Sequence, residues 1–366
     1  MIIKIDDSLL DELKKNNNNK QKMLYIFEKI AHSIICGKHL IIANRDILDY
    51  LSKNIELSCH ARAAFKKTLN KLPYYGVMLK NSEAARLIFK SQPDDNQNFI
   101  ENHIINLFNI AQENIGKYLK TSSLVLEDQD DMYIYNEILN SFSGNIRLCY
   151  KIIHGGGERT HEVCKSNLVQ NFFTFSICDS DKKTPFCGLG DTSKKAMDFF
   201  KKNYLSGNIH VLNCHEVENL LPPKFMLFML LHARPEQKPP IEFVIESMKV
   251  QEDACLYYDY KEGHKFQQIY IDNGNIKKFW EKLYNDTSII QIKSRIQEYE
   301  NNKLKKSDLV CSKSSTLLSS LKHKLKNGEL SIPYNDFQID ESLKSTIDSL
   351  VIFFRTWFIA SKPISI

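Results

Sequence analysis

The sequence predicts an α/β fold built on a mainly parallel sheet and flanked by helical regions. Between residues 121 and 224, short runs rich in β-branched and aromatic residues alternate with helix-period segments, the pattern of βαβ units. Three of those runs are followed closely by acidic side chains: Glu127 after "SLVL", Asp179 and Asp181 after "FFTFSIC", and Glu216 and Glu218 after "NIHVLNC". On either side, the apolar residues fall mostly at spacings of three and four, which is the helical period.

Residues 1–120 read as helices at "SLLDELKK", "QKMLYIFEKIAHSIICG", "ARAAFKKTLNKL" and "NFIENHIINLFNIAQENIGKYLK", with "NNNNK" as a loop. In the central region a strand is expected at "SLVLE", a helix over 130–142, a strand at "IRLCYKII" and a tight turn at Gly155, Gly156 and Gly157. Then come a helix over 159–170, a strand at "FFTFSICD", a long loop, a helix over 192–204 and a strand at "NIHVLNC". Beyond Pro222 and Pro223 the pattern is again mostly helical, with strands expected at "ACLYYDY" and "KFQQIYI" and a final apolar helix at "STIDSLVIFFRTWFIAS". No internal repeat is visible. The expected organisation is a helical region over 1–120, an α/β domain over 121–224 and a mostly helical region over 225–366.

With 366 residues, 43% of them hydrophobic and 25% charged, the chain is long enough to bury a large core. Its nine cysteines are scattered and include no Cys-x-x-Cys pair, which argues against a zinc ribbon and for a reducing cytoplasm. The most apolar stretch, in "KFMLFMLLHAR", is too short to span a bilayer, so no membrane association is expected. The net charge of +5 hides a division. Residues 121–224 hold 13 acidic against 11 basic side chains, whereas the flanks are basic, 18 against 13 before and 20 against 18 after. Basic flanks beside an acidic centre suit a polyanion held at its edges, and solvated helix faces suit the pattern equally well.

In an open parallel sheet the carboxyl ends of the strands share one edge, where ligands bind. The acids after the three runs can therefore converge although they are far apart in sequence. An all-oxygen donor set favours Mg²⁺ or Mn²⁺ over zinc. Each acid also has a plain structural reading. Asp130 suits a helix N-cap, and Asp179-Ser180-Asp181 suits a turn. The recurrence at three successive strand ends is what favours a site.

The ordered set "LVLEDQDDMYIYNEIL", "HGGGERTHEVC", "FSICDSDKK" and "LNCHEVENLL" resembles the TOPRIM (topoisomerase-primase) domain, a Rossmann-like fold with a Glu after its first strand and an Asp-x-Asp after a later one. It is most similar to the branch found in OLD-family nucleases and in the TOPRIM effector of the PARIS anti-phage system. The resemblance covers about 121–224. It implies a magnesium-dependent endonuclease cleaving phosphodiesters of DNA, RNA or transfer RNA, with Glu127, Asp179, Asp181 and Glu218 as catalytic residues and Glu127, Asp131, Asp179 and Asp181 as ligands to Mg²⁺ or Mn²⁺. Asp128 stands where the branch usually has Gly, and Asp130 where it has Ser or Thr. An added carboxylate at 128 would crowd the metal.

Lys182 and Lys183, and Lys194 and Lys195 at a helix start, are candidate phosphate contacts, or solvated lysines. His154, His161 and His215 lie near the motifs, and His215 could move a proton or bind a metal. The chain shows no Walker A motif. The PARIS-like arrangement then implies a separate ATPase partner that restrains the nuclease, with release into a homodimer. The apolar helix around Leu350–Ile359 is a candidate contact surface, or a core helix. The alternative is a catalytically inactive TOPRIM subunit with a binding or regulatory role. A nucleotidyl transferase would need a nucleotide pocket that the sequence does not display.

Overall fold

A computed structural model of the chain describes residues 1–15, 19–80, 87–91, 103–106, 115–142, 147–170, 173–203, 206–229, 238–311, 313–338 and 341–364. The first 120 residues contain β1 (Ile2–Ile5), α1 (Ser8–Lys14), α2 (Asn19–Cys36), β2 (Leu40–Ala43), α3 (Arg45–Lys53), α4 (Cys59–Lys80), β3 (Leu87–Lys90), β4 (His103–Asn106) and α5 (Ile115–Tyr118). The four strands form a parallel sheet in the order β2-β1-β3-β4. This corrects the expectation of a purely helical region. β1 to β3 are four-residue, mostly apolar runs, interrupted or closed by Lys4 and Lys90 and buried almost throughout, and in runs so short periodicity cannot separate strand from helix. Of the "NNNNK" loop, residues 16–18 lie outside the described residues while Asn19 and Lys20 already belong to α2, and most of the helix expected over "NFIENHIINLFNIAQENIGKYLK" also lies outside them.

The central region follows its sequence pattern, except that the strand expected at "IRLCYKII" is split in two, its first part pairing outside the main sheet. β5 (Ser123–Leu126), α6 (Met132–Phe142), β6 (Arg147–Leu148), β7 (Lys151–His154), α7 (Thr160–Gln170), β8 (Thr174–Cys178), α8 (Asp191–Lys202) and β9 (Gly207–Val211) succeed one another. The sheet runs β7-β5-β8-β9, parallel throughout. Because successive strand residues face opposite ways, Leu124, Leu126, Phe175 and Ile177 join the main core while Val125 packs with Cys164 and Phe200 of α7 and α8.

The remainder comprises α9 (Pro223–Met229), α10 (Lys238–Ser247), α11 (Ala254–Tyr257), α12 (Asn275–Asp286), α13 (Ile290–Glu300), α14 (Ser315–Lys326), α15 (Glu341–Phe358) and β10 (Ile359–Ala360), which pairs antiparallel with β6. The strands expected at "ACLYYDY" and "KFQQIYI" are instead α11 with an extended tail and a π-helical turn at Gln267–Ile271. Their aromatic residues serve burial rather than a ladder: Tyr258, Tyr260 and Phe266 are fully buried, and Tyr258 and His264 pack against Trp280. α15 is a core helix. Trp357 and Phe358 lie 4.7 and 5.3 Å from the ring of Phe175, so its apolar face is spent on the sheet. One continuous apolar core joins residues of all three regions. Among the described residues, no helix is long and apolar enough to cross a membrane.

His210 on β9 lies with its ring 5.3 Å from that of Phe353, and its Nε2 has no hydrogen-bond partner. Burial pushes its pKa from 6.5 down to about 4. The unfolded chain gains this proton first, so stability held above pH 6.5 is lost as pH falls toward 4, by about 3 kcal/mol. His210→Phe should flatten that part of the curve in urea denaturation between pH 7 and pH 4.5; an unaltered slope would contradict this.

Candidate active site

β5 ends at Leu126 and β8 at Cys178, so Glu127 and Asp179 are the first residues beyond two neighbouring parallel strands. The chain leaves β5 for β7 on one side and returns to β8 on the other, which makes the β5–β8 junction the topological switch point of the sheet. There the backbone N–H of Asp179 donates to Glu127 Oε1 at 3.1 Å. Asp179 Oδ1 accepts from the N–H of Val217 at 3.0 Å, and its carbonyl accepts from the Ser193 hydroxyl on α8. The turn after β7 closes against the same strand end, with the Gly155 N–H donating to Leu126 O at 2.6 Å. A side chain at 155 would meet that carbonyl at 2.7 Å.

Asp181 adopts a left-handed backbone (φ 56°), which Asp tolerates better than most residues, and its N–H donates to His215 O at 2.9 Å. Its carboxylate lies against Gly190, where an added Cβ would stand 1.8 Å from Oδ2. The displaced group would be the end of a side chain, so Gly190→Ala should keep the fold but move Asp181. If Asp181 serves a reaction, the loss of rate should be on the order of 10²-fold; circular dichroism and rate measurements on the variant check this, and full activity would show that Asp181 need not be held there.

Burial is the main force on these acids. It pushes Glu127 up to about 7, with Asp181 and Asp131 adding to the rise and the Asp179 N–H opposing it. Asp179 is raised well above the usual carboxylate range by burial and then by the charges of Asp131, Glu127, Glu218 and Glu216. Asp181 is also raised by burial, against the pull of His215, Lys183 and Lys261. Such a crowd is relieved by protons or by a cation. Its donor chemistry, carboxylate only, suits a hard divalent ion.

Asp131, expected as a ligand, and Glu218, expected as a catalytic residue, are both engaged by lysines. Lys322 of α14 reaches Asp131 Oδ1 at 2.7 Å and Glu218 Oε1 at 2.8 Å, and Lys261 reaches Glu218 Oε2 at 3.0 Å and Glu216 Oε2 at 3.2 Å. Burial would raise Glu218, but the two ammonium groups more than reverse it and its pKa lies below the ordinary value. Thus Glu127, Asp179 and Asp181 share one edge, while Asp131 and Glu218 are bound to lysine. Of the expected metal set, Glu127, Asp131, Asp179 and Asp181, Asp131 is the one whose charge the ammonium of Lys322 meets directly. Asp128 is exposed and caps the 3-10 turn Gln129–Asp131, accepting from the Asp130 N–H at 3.0 Å, and its charge adds to the rise at Asp131.

The lysines singled out in the sequence separate too. Lys183 pairs with Asp259 at 2.7 Å, Lys182 is half-buried, and Lys194 and Lys195 are exposed on α8, Lys194 lying 3.5 Å from Asp191. A cleft of about 540 Å³ is lined instead by Asp128, Asp130, Glu218 and Glu262 together with a wall of lysines, Lys261, Lys313, Lys322 and Lys326. None of the lysines of that wall lies in a motif. No family model matches the chain, and comparison with curated proteins and with solved structures yields no match.

Proposed function

We propose that this chain is a divalent-cation-dependent nuclease of the TOPRIM type whose centre is Glu127, Asp179 and Asp181. What supports the reading is the contact across the switch point, where the Asp179 N–H meets Glu127 Oε1 and burial raises both acids, with the exposed Asp181 on the loop just beyond. Those three side chains would hold Mg²⁺ or Mn²⁺, which when bound would stabilise charge on a phosphoryl oxygen and acidify a water. Glu127, titrating near 7 in the protein alone, would titrate lower beside a bound cation, which suits a ligand role at its carboxylate. Lys313 and Lys326, on the cleft wall, would hold the flanking phosphates by charge.

Incubating the full chain with duplex DNA, single-stranded RNA and transfer RNA tests this. Cleavage of at least one class with Mg²⁺ or Mn²⁺, abolished by EDTA, is the expected result; intact substrates under every condition would favour the non-catalytic reading. That second reading draws on Lys322, whose hold on Asp131 and Glu218 would also suit a site kept for structure alone. A role as an anti-phage effector held by a separate ATPase, and released into a homodimer, belongs to the same proposal. α15 being buried in the core, that partner would need another surface, and co-expression with neighbouring genes followed by pull-down is the test.

A further inference from the structure

Next to the proposed centre, but apart from it, stands a group of different chemistry. Among the described residues, His215, Glu216 and Asp259 offer one nitrogen and two oxygen atoms that all lie within 4.8 Å of one another. His215 Nε2 is 3.5 Å from Asp259 Oδ2 and 3.9 Å from Glu216 Oε1. A tetrahedral ion with bonds of about 2.1 Å sets its ligands about 3.4 Å apart. The three atoms are thus nearly spaced for a shared ion. His215 is only 3% exposed and neither ring nitrogen makes a hydrogen bond, although buried polar atoms are normally satisfied. We infer that His215, Glu216 and Asp259 form a second cation site, one that takes a borderline transition ion of the Zn²⁺ class.

The nitrogen donor carries the choice of ion. Imidazole suits zinc and its neighbours, whereas Mg²⁺ prefers oxygen alone, so the two sites should sort different metals. The site would also link two parts of the fold. His215 and Glu216 follow β9, while Asp259 follows α11 in the C-terminal region, and the carbonyl of His215 accepts the N–H of Asp181. An ion here would therefore brace the loop that orients Asp181. Two lysines already pair with these carboxylates: Lys183 is 2.7 Å from Asp259 Oδ2 and Lys261 is 3.2 Å from Glu216 Oε2. The other oxygen of Asp259 already accepts the N–H of Glu262 at 2.6 Å. Metal and the Lys183 ammonium thus compete for the same atom. Removing the lysine should strengthen binding.

This inference does not rest on the nuclease reading, and its test uses no activity. The full-length chain, freed of metal, is titrated with Zn²⁺ by calorimetry, and Cu²⁺ bound in its place, an ion that imidazole also suits, is examined by pulsed electron paramagnetic resonance for ¹⁴N coupling. One Zn²⁺ per chain is expected, weakened at least about tenfold by His215→Ala or Glu216→Gln, tightened by Lys183→Met, and little changed by Glu127→Gln. Should His215→Ala fail to fold, the ¹⁴N coupling in the unaltered chain and the Lys183→Met shift decide. Absence of Zn²⁺ binding, absence of nitrogen coupling, or binding lost in Glu127→Gln but kept in His215→Ala would each overturn the site.

Discussion

Lys322→Met is expected to destabilise the protein by about 3–5 kcal/mol, the usual loss when one partner of a buried charge cluster is removed. The Lys322 side chain is 15% exposed, that of Asp131 8% and that of Glu218 1%, and its ammonium bonds both carboxylates at under 3 Å. Met fills much of the same volume, so the effect isolates charge from packing. What remains is Glu218 held by Lys261 alone and Asp131 with no ammonium against it from Lys322. Pairing Lys322→Met with Asp131→Asn and Glu218→Gln should recover most of the loss, since no buried charge is then left uncompensated. Urea denaturation of the single and combined variants measures this. A single-variant loss below about 1 kcal/mol would mean that water, not Lys322, satisfies those acids.

The second large effect concerns Glu127 and has opposite signs for stability and for the proposed reaction. In the protein free of metal, Glu127 keeps its proton to about pH 7, whereas the unfolded chain loses it near 4.5. Between those values the folded state binds more protons, so stability falls as pH rises through that window, by about 3 kcal/mol in all. Glu127→Gln retains an oxygen to accept the Asp179 N–H yet carries no charge. It should be more stable than the natural chain at pH 8 by a similar amount, and equal to it below pH 4.5. Cleavage, if the proposed centre is right, should fall by at least about 10³-fold, a scale typical of losing a group that acts on the transition state. A variant no more stable at pH 8 would show that Glu127 is already well solvated. One that cleaves normally would remove Glu127 from the chemistry.

Much of the central region was legible because its signals are local. "SLVL", "FFTFSIC" and "NIHVL" are runs long enough, and followed sharply enough by polar residues, to mark strands, and the helices between them start and stop within about two residues of the expected positions. The edge where Glu127, Asp179 and Asp181 meet follows from strand order, which alternation implies. The N-terminal sheet was hidden because "IIKI", "LIIA" and "LIFK" are four-residue runs beside long helices, and its order β2-β1-β3-β4 matches that of β7-β5-β8-β9 without any repeat in the sequence. Lys322, Lys261 and Asp259 were hidden for another reason. Each acts on acids or bases supplied by a distant stretch of chain, and no local spacing records such a partnership. The one signal available was electrostatic: buried acids at the strand ends need cations from somewhere, and the basic segment "LKHKLK" of α14 is one place from which they come.

The most direct measurement of the central claim is the cleavage rate of the natural chain beside that of Asp179→Asn, on whichever nucleic acid is cut, in Mg²⁺ and in Mn²⁺. Asn keeps an oxygen for the Val217 N–H and so keeps the loop in place, while removing the charge at the switch point. The account predicts a folded variant with cleavage reduced by at least about 10³-fold with both ions. A folded Asp179→Asn that cuts at the natural rate would contradict it.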